Sequence, residues 1–228
     1  MAENHFKDSE EIWDAIAESF DATRRKSWQD VVDFIDELSG SNVIADLGCG
    51  NGRHLVLCAN KCRTVIGLDI SRNLLKITQN KMKEKQHSAV LIHGNLVHIP
   101  IKKDTLDAVL YIAALHNIKG RKNRIQSLKE VKRILKDAGR ALISVWSREQ
   151  EKFRDCFTVS SSDNCELGDI NIYWGQNRLN VPRFYHLYNK GEFIEDIEQS
   201  GLEIERISEA KLHSRRFTDN YFAIVRKG

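Results

Sequence analysis

The stretch that most constrains this chain is residues 42–52, Asn-Val-Ile-Ala-Asp-Leu-Gly-Cys-Gly-Asn-Gly. A short apolar run over 43–45 predicts a buried parallel strand, and the acid Asp46 ends it. Glycine then stands at alternate positions, Gly48, Gly50 and Gly52, and apolar residues resume at Leu55, Val56 and Leu57, so a helix is expected next. Strand, glycine turn and helix in that order open a nucleotide-binding βα unit. Glycine at 48 and 50 permits positive φ and lets a ligand reach the backbone with no Cβ in the way.

The pattern continues downstream. A second apolar strand, Thr64-Val-Ile-Gly-Leu-Asp69, again ends in an acid, and Ser71 is placed to cap a helix running to about residue 83. A third strand is expected over 87–93, a fourth over 106–113, a helix over 122–135 stopped by Gly139, and a fifth strand over 140–146. Strands alternating with helices in this way imply a mostly parallel central sheet flanked by helices, an α/β fold. Upstream, two helices are expected within 8–38, with a polar joint at 21–27, Ser27 as the cap of the second and Gly40 as its end. One domain is expected, divided as a helical cap over 1–40, a ligand-binding core over 41–147, a structureless substrate-side insertion over 148–182 and the last part of the sheet over 183–228. Within that last part, a strand begins at Arg183, a helix follows near 190–200, and two strands close the chain at 202–207 and 221–225.

Composition excludes some classes. In 228 residues, 41% hydrophobic and 29% charged, no apolar run approaches the roughly 20 residues of a membrane span. The N-terminus lacks a basic-then-apolar leader, so cytoplasmic residence is the expectation. The five cysteines are odd in number and contain no Cys-x-x-Cys pair, which argues for reduced thiols and against a metal ribbon, so no bound metal is expected. The net charge of +3 permits nucleic-acid binding without demanding it; basic residues cluster at 24–26, 119–124, 215–216 and 226–227.

Two nucleotide readings of the glycine turn weaken on inspection. The dinucleotide fingerprint wants a third glycine where Arg53 stands, and no Gly-Lys-Ser/Thr closes a P-loop. Asp46-Leu-Gly-Cys-Gly-Asn-Gly52, Asp69, Asn95 through Pro100 and Leu106-Asp-Ala-Val instead resemble the cofactor site of class I methyltransferases. That resemblance implies a Rossmann-like fold and S-adenosylmethionine as cofactor. It assigns Asp46, Gly48, Gly50 and Gly52 to the aminoacyl part, Asp69 to the ribose hydroxyls, and Asn95 and Leu96 to adenine. Asn95 stands where the family often has Asp, and its side-chain oxygen can still accept a bond from the adenine amino group.

Segments outside the core point to an acceptor. Thr23-Arg-Arg-Lys-Ser-Trp28, Ala114-Leu-His116, Val145-Trp-Ser-Arg-Glu-Gln150 and Arg183-Phe-Tyr-His-Leu-Tyr188 resemble the tRNA wobble-uridine carboxymethyl methyltransferases, which esterify 5-carboxymethyluridine. Their fourth strand is often followed by two histidines; this chain has His116 and then Asn117. A carboxylate needs alignment more than a base, and arginine suits it through paired charge-assisted bonds. Arg24 and Arg183 are therefore the expected clamp and His116 the residue orienting the acceptor, with Tyr185, His186 and Tyr188 as candidate anticodon contacts. Strand alternation puts Tyr185 on the face opposite His186 and Tyr188, so the three cannot share one pocket. The resemblance also implies a small zinc-ribbon activator subunit on the apolar edge strand near Val90 and Ile92; the chain's own loops are the alternative cover. Two other readings stand beside the tRNA enzyme. One is a small-molecule methyltransferase acting on a quinone or lipid precursor, and the other is a cofactor-binding module without turnover.

Overall fold

The computed structural model describes residues 2–40, 42–157, 166–211 and 216–228. Part of the 148–182 insertion (158–165, with Cys165, one of the five cysteines) and Arg215 of the basic cluster at 215–216 lie outside the described residues. The elements are α1 (Ala2–Thr23), α2 (Gln29–Asp36), β1 (Val43–Leu47), α3 (Arg53–Lys61), β2 (Thr64–Asp69), α4 (Arg72–Glu84), β3 (Val90–His93) and β4 (Leu106–Ile112). They continue as α5 (Arg121–Ile134), β5 (Leu135–Trp146), β6 (Asp169–Trp174), β7 (Val181–His186), α6 (Lys190–Ser200), β8 (Leu202–Ala210) and β9 (Asn220–Lys227).

A seven-stranded sheet has the order β3-β2-β1-β4-β5-β9-β8, with β1 to β5 parallel and β9 antiparallel to both neighbours. The strand order reverses between β1 and β4, and a crevice opens at that switch point beyond the carboxyl ends of the strands. The glycine turn leaves β1 there. Because successive side chains face opposite sides, β1 divides its residues between two cores. Ala45 and Leu47 pack with Tyr111, Ile143 and α5, whereas Ile44 packs with Leu110, Leu142 and α2. Burial on both faces explains why the parallel strands read as continuous apolar runs.

Several local expectations are corrected. Ser27 does not cap α2: Trp28 holds the N-cap position without a side-chain bond, and the Ser27 hydroxyl donates instead to the Arg53 carbonyl at 3.3 Å. Helix α2 ends at Asp36, before Gly40, and α5 ends at Ile134, before Gly139. Ser71 does cap α4, accepting from the Leu74 amide at 3.0 Å. The largest correction lies in the segment expected to be structureless. Its residues 169–174 form β6, which pairs antiparallel with β7 from Asp169↔His186 to Trp174↔Val181. The hairpin is a separate two-stranded sheet standing beside the end of β5.

Candidate active site

The glycine turn is tied to the strand beside it. The amides of Gly48 and Cys49 both donate to the Leu68 carbonyl, at 2.7 and 3.0 Å, and the Gly50 amide donates to Asp69 Oδ2 at 2.7 Å. Gly48 has φ 74°, and a Cβ there would lie 2.5 Å from the Ala114 Cβ, so both conformation and space require glycine. At Gly52, φ is 73° and a Cβ would meet the Thr78 methyl at 2.6 Å.

Two acids face this turn. Asp69 also accepts from the Ser71 amide at 2.9 Å, yet burial dominates these bonds and pushes its carboxyl up to about 6. Asp46 is 2% exposed and its Oδ2 has no partner among the described residues. Burial pushes its carboxyl up to about 7, with Arg53 opposing and Asp69 adding to the rise. An orphaned buried carboxylate oxygen calls for a donor from outside the chain. Leu96 flanks Gly48 across the same crevice, 3.8 Å from where a Cβ would sit. The Asn95 oxygen is engaged within the chain, accepting from the Val97 amide at 2.9 Å, so its remaining lone pair and its NH2 group are what it can offer a ligand.

A second cluster lies across the crevice and carries the opposite charge. Arg24 and Arg183 both set their guanidinium over the Trp174 ring, with Cζ 5.7 and 4.7 Å from its centroid. Arg183 also covers Trp13 and Tyr185, bonds the Tyr185 hydroxyl through Nη1, and leaves Nε buried without a partner. Burial, and then the neighbouring Arg24 charge, hold Arg183 below the usual guanidinium range against the pull of Tyr185. Neither arginine is ion-paired among the described residues. Tyr185 stacks on Trp146 at 4.9 Å and on His116 at 5.3 Å. His116 Nδ1 accepts the Trp146 amide at 3.0 Å, which places the neutral ring's proton on Nε2. Burial, with the His186 and Arg183 charges, pushes His116 down to about 3, so it is a neutral donor at pH 7.

Helix α1 joins the two clusters. Asp21 accepts from Asn51 Nδ2 at 2.8 Å, Phe20 lies 3.4 Å from where a Gly50 Cβ would sit, and the Ser19 hydroxyl accepts from Trp174 Nε1 at 2.7 Å.

His186 and Tyr188 are corrected as base contacts. Both are 0% exposed and point away from Arg183 into an ionic cluster beneath the hairpin, so no surface remains for a base. His186 bonds Asp169 through Nδ1 and Glu192 through Nε2, each at 2.7 Å, and the Tyr188 hydroxyl donates to Asp196 at 3.2 Å. Arg124, also buried, pairs with Glu166 at 2.5 Å. Burial lowers the His186 pKa, but Asp169 and Glu192 outweigh it and raise the ring above its ordinary value. Glu166, Asp169 and His186 bring ligand atoms within 4.8 Å of one another, but Glu166 already pairs with Arg124, and both ring nitrogens of His186 are taken by Asp169 and Glu192.

One residue of the cationic cluster is missing from the sequence reading. Lys152, in the turn of residues 151–157, lays its ammonium 5.0 Å from the Trp146 centroid and 4.4 Å from that of Phe153. No periodicity marks it; its only sequence signal is a cation beside an aromatic just after β5.

Residues 45–143 match the family model described as a methyltransferase domain. Over those residues the chain is similar to a methyltransferase domain. A tRNA (carboxymethyluridine(34)-5-O)-methyltransferase of Arabidopsis thaliana is 39% identical over 140 residues, covering 61% of this chain and 33% of that relative. The protein of the same name in Schizosaccharomyces pombe is 29% identical over 206 residues, 84% of this chain and 86% of its own. This chain spans a third or less of several other relatives. Among solved structures, an S-adenosylmethionine-dependent methyltransferase of Methanosarcina mazei superposes with a TM-score of 0.75 at 17% identity over 89% of this chain and 98% of that one. A Haloferax volcanii putative methyltransferase, solved in complex with the Trm112 methyltransferase activator, superposes with a TM-score of 0.69 at 13% identity over 97% of both chains.

The crevice fits S-adenosylmethionine, on which the superposed Methanosarcina methyltransferase depends. The orphaned Asp46 oxygen suits an ammonium, the bare Gly48 backbone leaves room for an aminoacyl chain, and the Asp69 carboxylate suits vicinal hydroxyls. No helix among the described residues is long and apolar enough to cross a membrane.

Proposed function

We propose that this methyltransferase domain esterifies the carboxylate of 5-carboxymethyluridine at the wobble position of tRNA. The observation that carries the reading is the pair of guanidinium groups, Arg24 and Arg183, set against one tryptophan ring, neither of them ion-paired among the described residues. The names of the relatives supply the acceptor; the geometry supports its chemistry. When bound, S-adenosylmethionine supplies a methyl group on a positively charged sulfur. The acceptor carboxylate is ionised at neutral pH and needs no base. Arg24 and Arg183 orient it through charge-assisted bonds, and His116 offers an Nε2 proton beside Tyr185. A methyl–oxygen bond forms as the methyl–sulfur bond breaks, and the two opposite charges cancel. Holding the reactants in register supplies the acceleration, on the order of 7–11 kcal/mol in the best cases. A quinone or lipid precursor would leave both guanidinium groups without a counter-charge, and nothing in the crevice favours it. Asp46, Gly48, Gly50, Gly52, Asp69, Asn95 and Leu96 form the donor side of the same assignment.

The partner is part of this proposal. Strand β3 is an edge of the sheet, and Val90 on it is 53% exposed. An open apolar edge invites strand addition, and the Haloferax structure joins an alike fold to a methyltransferase activator. Val90→Asp would abolish co-purification with such a subunit, and retention would remove the edge from the proposal. The function itself is tested by nucleoside mass spectrometry of tRNA from a deletion strain. The methyl ester disappears and its acid accumulates; an unchanged ester overturns the reading.

A further inference from the structure

The cationic side of the crevice holds more charge than a two-arginine clamp. Phe153, Trp146 and Tyr185 form a run of stacked rings, with centroids 6.5 and 4.9 Å apart and planes inclined by 27° and 20°. Lys152 lies over the first two rings, Arg183 over the third, and Arg183 and Arg24 share the next ring, Trp174. Three cations from three separate segments are thus set along one aromatic wall, and none is ion-paired among the described residues. Burial first, and then the charges of Arg183 and Arg24, hold the Lys152 amine below its usual range, while Asp219 acts in the opposite sense. Lys152 therefore senses both arginines. Like charges brought together repel unless an anion joins them, and the described residues contribute none at ion-pair distance.

We propose that Lys152 is a specificity-determining residue, the third cation of a pocket that retains the acceptor as a carboxylate and lets go of it as an ester. The inference rests on the proposed esterification. Before transfer the acceptor carries a full negative charge shared among Arg24, Arg183 and Lys152. After transfer it is neutral, its charge cancelled against the lost charge of the sulfur. The three cations are then without a counter-charge, and the product is held only by its rings and backbone. Esterification thereby weakens the pocket's grip on its own product. An acceptor bearing a neutral amide is excluded on the same ground, because it resembles the ester and not the acid in charge.

Binding without turnover tests this. Anticodon stem-loop RNAs carrying 5-carboxymethyluridine, its amide or its methyl ester would be titrated by fluorescence anisotropy into the full chain with S-adenosylhomocysteine present. Wild-type protein favours the acid over the amide and the ester by roughly tenfold or more, the scale of one charge-assisted hydrogen bond. Lys152→Ala reduces that preference to about threefold or less while leaving affinity for the amide and ester unchanged, and Lys152→Arg restores it. Although its amine is partly desolvated against the rings, the Lys152 residue as a whole is exposed, so its removal leaves the melting temperature in place. Weakening of all three RNAs alike would make Lys152 a general contact to the RNA backbone and overturn the inference. A preference preserved in Lys152→Ala overturns it too, while leaving the proposed function standing. A wild-type protein without any preference for the acid removes both.

Discussion

The two sides of the crevice are built by opposite means. The donor side is nearly contiguous: β1, the glycine turn and the end of β2 supply Asp46, Gly48, Gly50 and Asp69, and backbone amides do most of the fixing. The acceptor side is assembled from α1, the turn after β5, and the β6–β7 hairpin, and side chains stacked on rings do the fixing. The donor side gathers two carboxylates and the acceptor side three cations. Under the proposed function each side carries the charge opposite to what it would receive: acids for a ligand with an ammonium and a sulfonium, cations for a carboxylate. A mutation in one side should leave the other's ligand bound, and that separation can be measured.

The largest effect is expected from Asp69→Ala, which takes away the Gly50 and Ser71 amide acceptor as well as the proposed ribose contact. Its affinity for S-adenosylmethionine falls by about a hundredfold or more in calorimetry, while binding of the carboxylate RNA changes little. Equal losses for both ligands would dissolve the distinction. Arg183→Ala is the mirror experiment: methyl transfer drops by roughly a hundredfold with cofactor affinity within about twofold of wild type. Arg24→Ala, at a more exposed position, costs less, on the order of tenfold.

His186→Ala asks whether the ionic cluster is a support for the acceptor side or part of it. Removing the imidazolium leaves Asp169 and Glu192 facing each other under the hairpin, a loss of about 3 kcal/mol in chemical denaturation. The ring's pKa is raised in the folded state. Its contribution is therefore complete below the unfolded value of about 6.5 and is lost as pH climbs through the higher folded value. Melting curves should show wild type losing stability over that window and His186→Gln losing less. The smallest effect is a sharpening one. Asp46 must be ionised to hold an ammonium, and it titrates near 7. Cofactor affinity should rise by up to about tenfold as pH goes from 6 to 8, and Asp46→Asn should flatten the profile.

The same contrast explains what could be read from the chain alone. A parallel strand buried on both faces and a turn that demands positive φ leave their mark within a dozen adjacent residues, so the glycine turn and the parallel sheet are legible, while the strand order came only with the resemblance. The acceptor side depends on pairing at a distance. Strand β6, Asp-Ile-Asn-Ile-Tyr-Trp, does alternate, but its polar flanks hide it until β7 is laid beside it. Tyr185 and His186 are neighbours in sequence, yet the strand sends one to the aromatic wall and the other into a salt-bridge cluster. Arg24 and Arg183 carried a resemblance and no pattern, and Lys152 carried neither.

Helix α1 is fastened to both sides of the crevice. Ser19 fastens it to the hairpin through Trp174, and Asp21 fastens it to the glycine turn through Asn51. Those two anchors are separated by two residues, about 3 Å along a helix axis. The spacing between the acceptor wall and the donor turn is thus gauged by a fraction of one helical turn, the stiffest ruler a polypeptide offers.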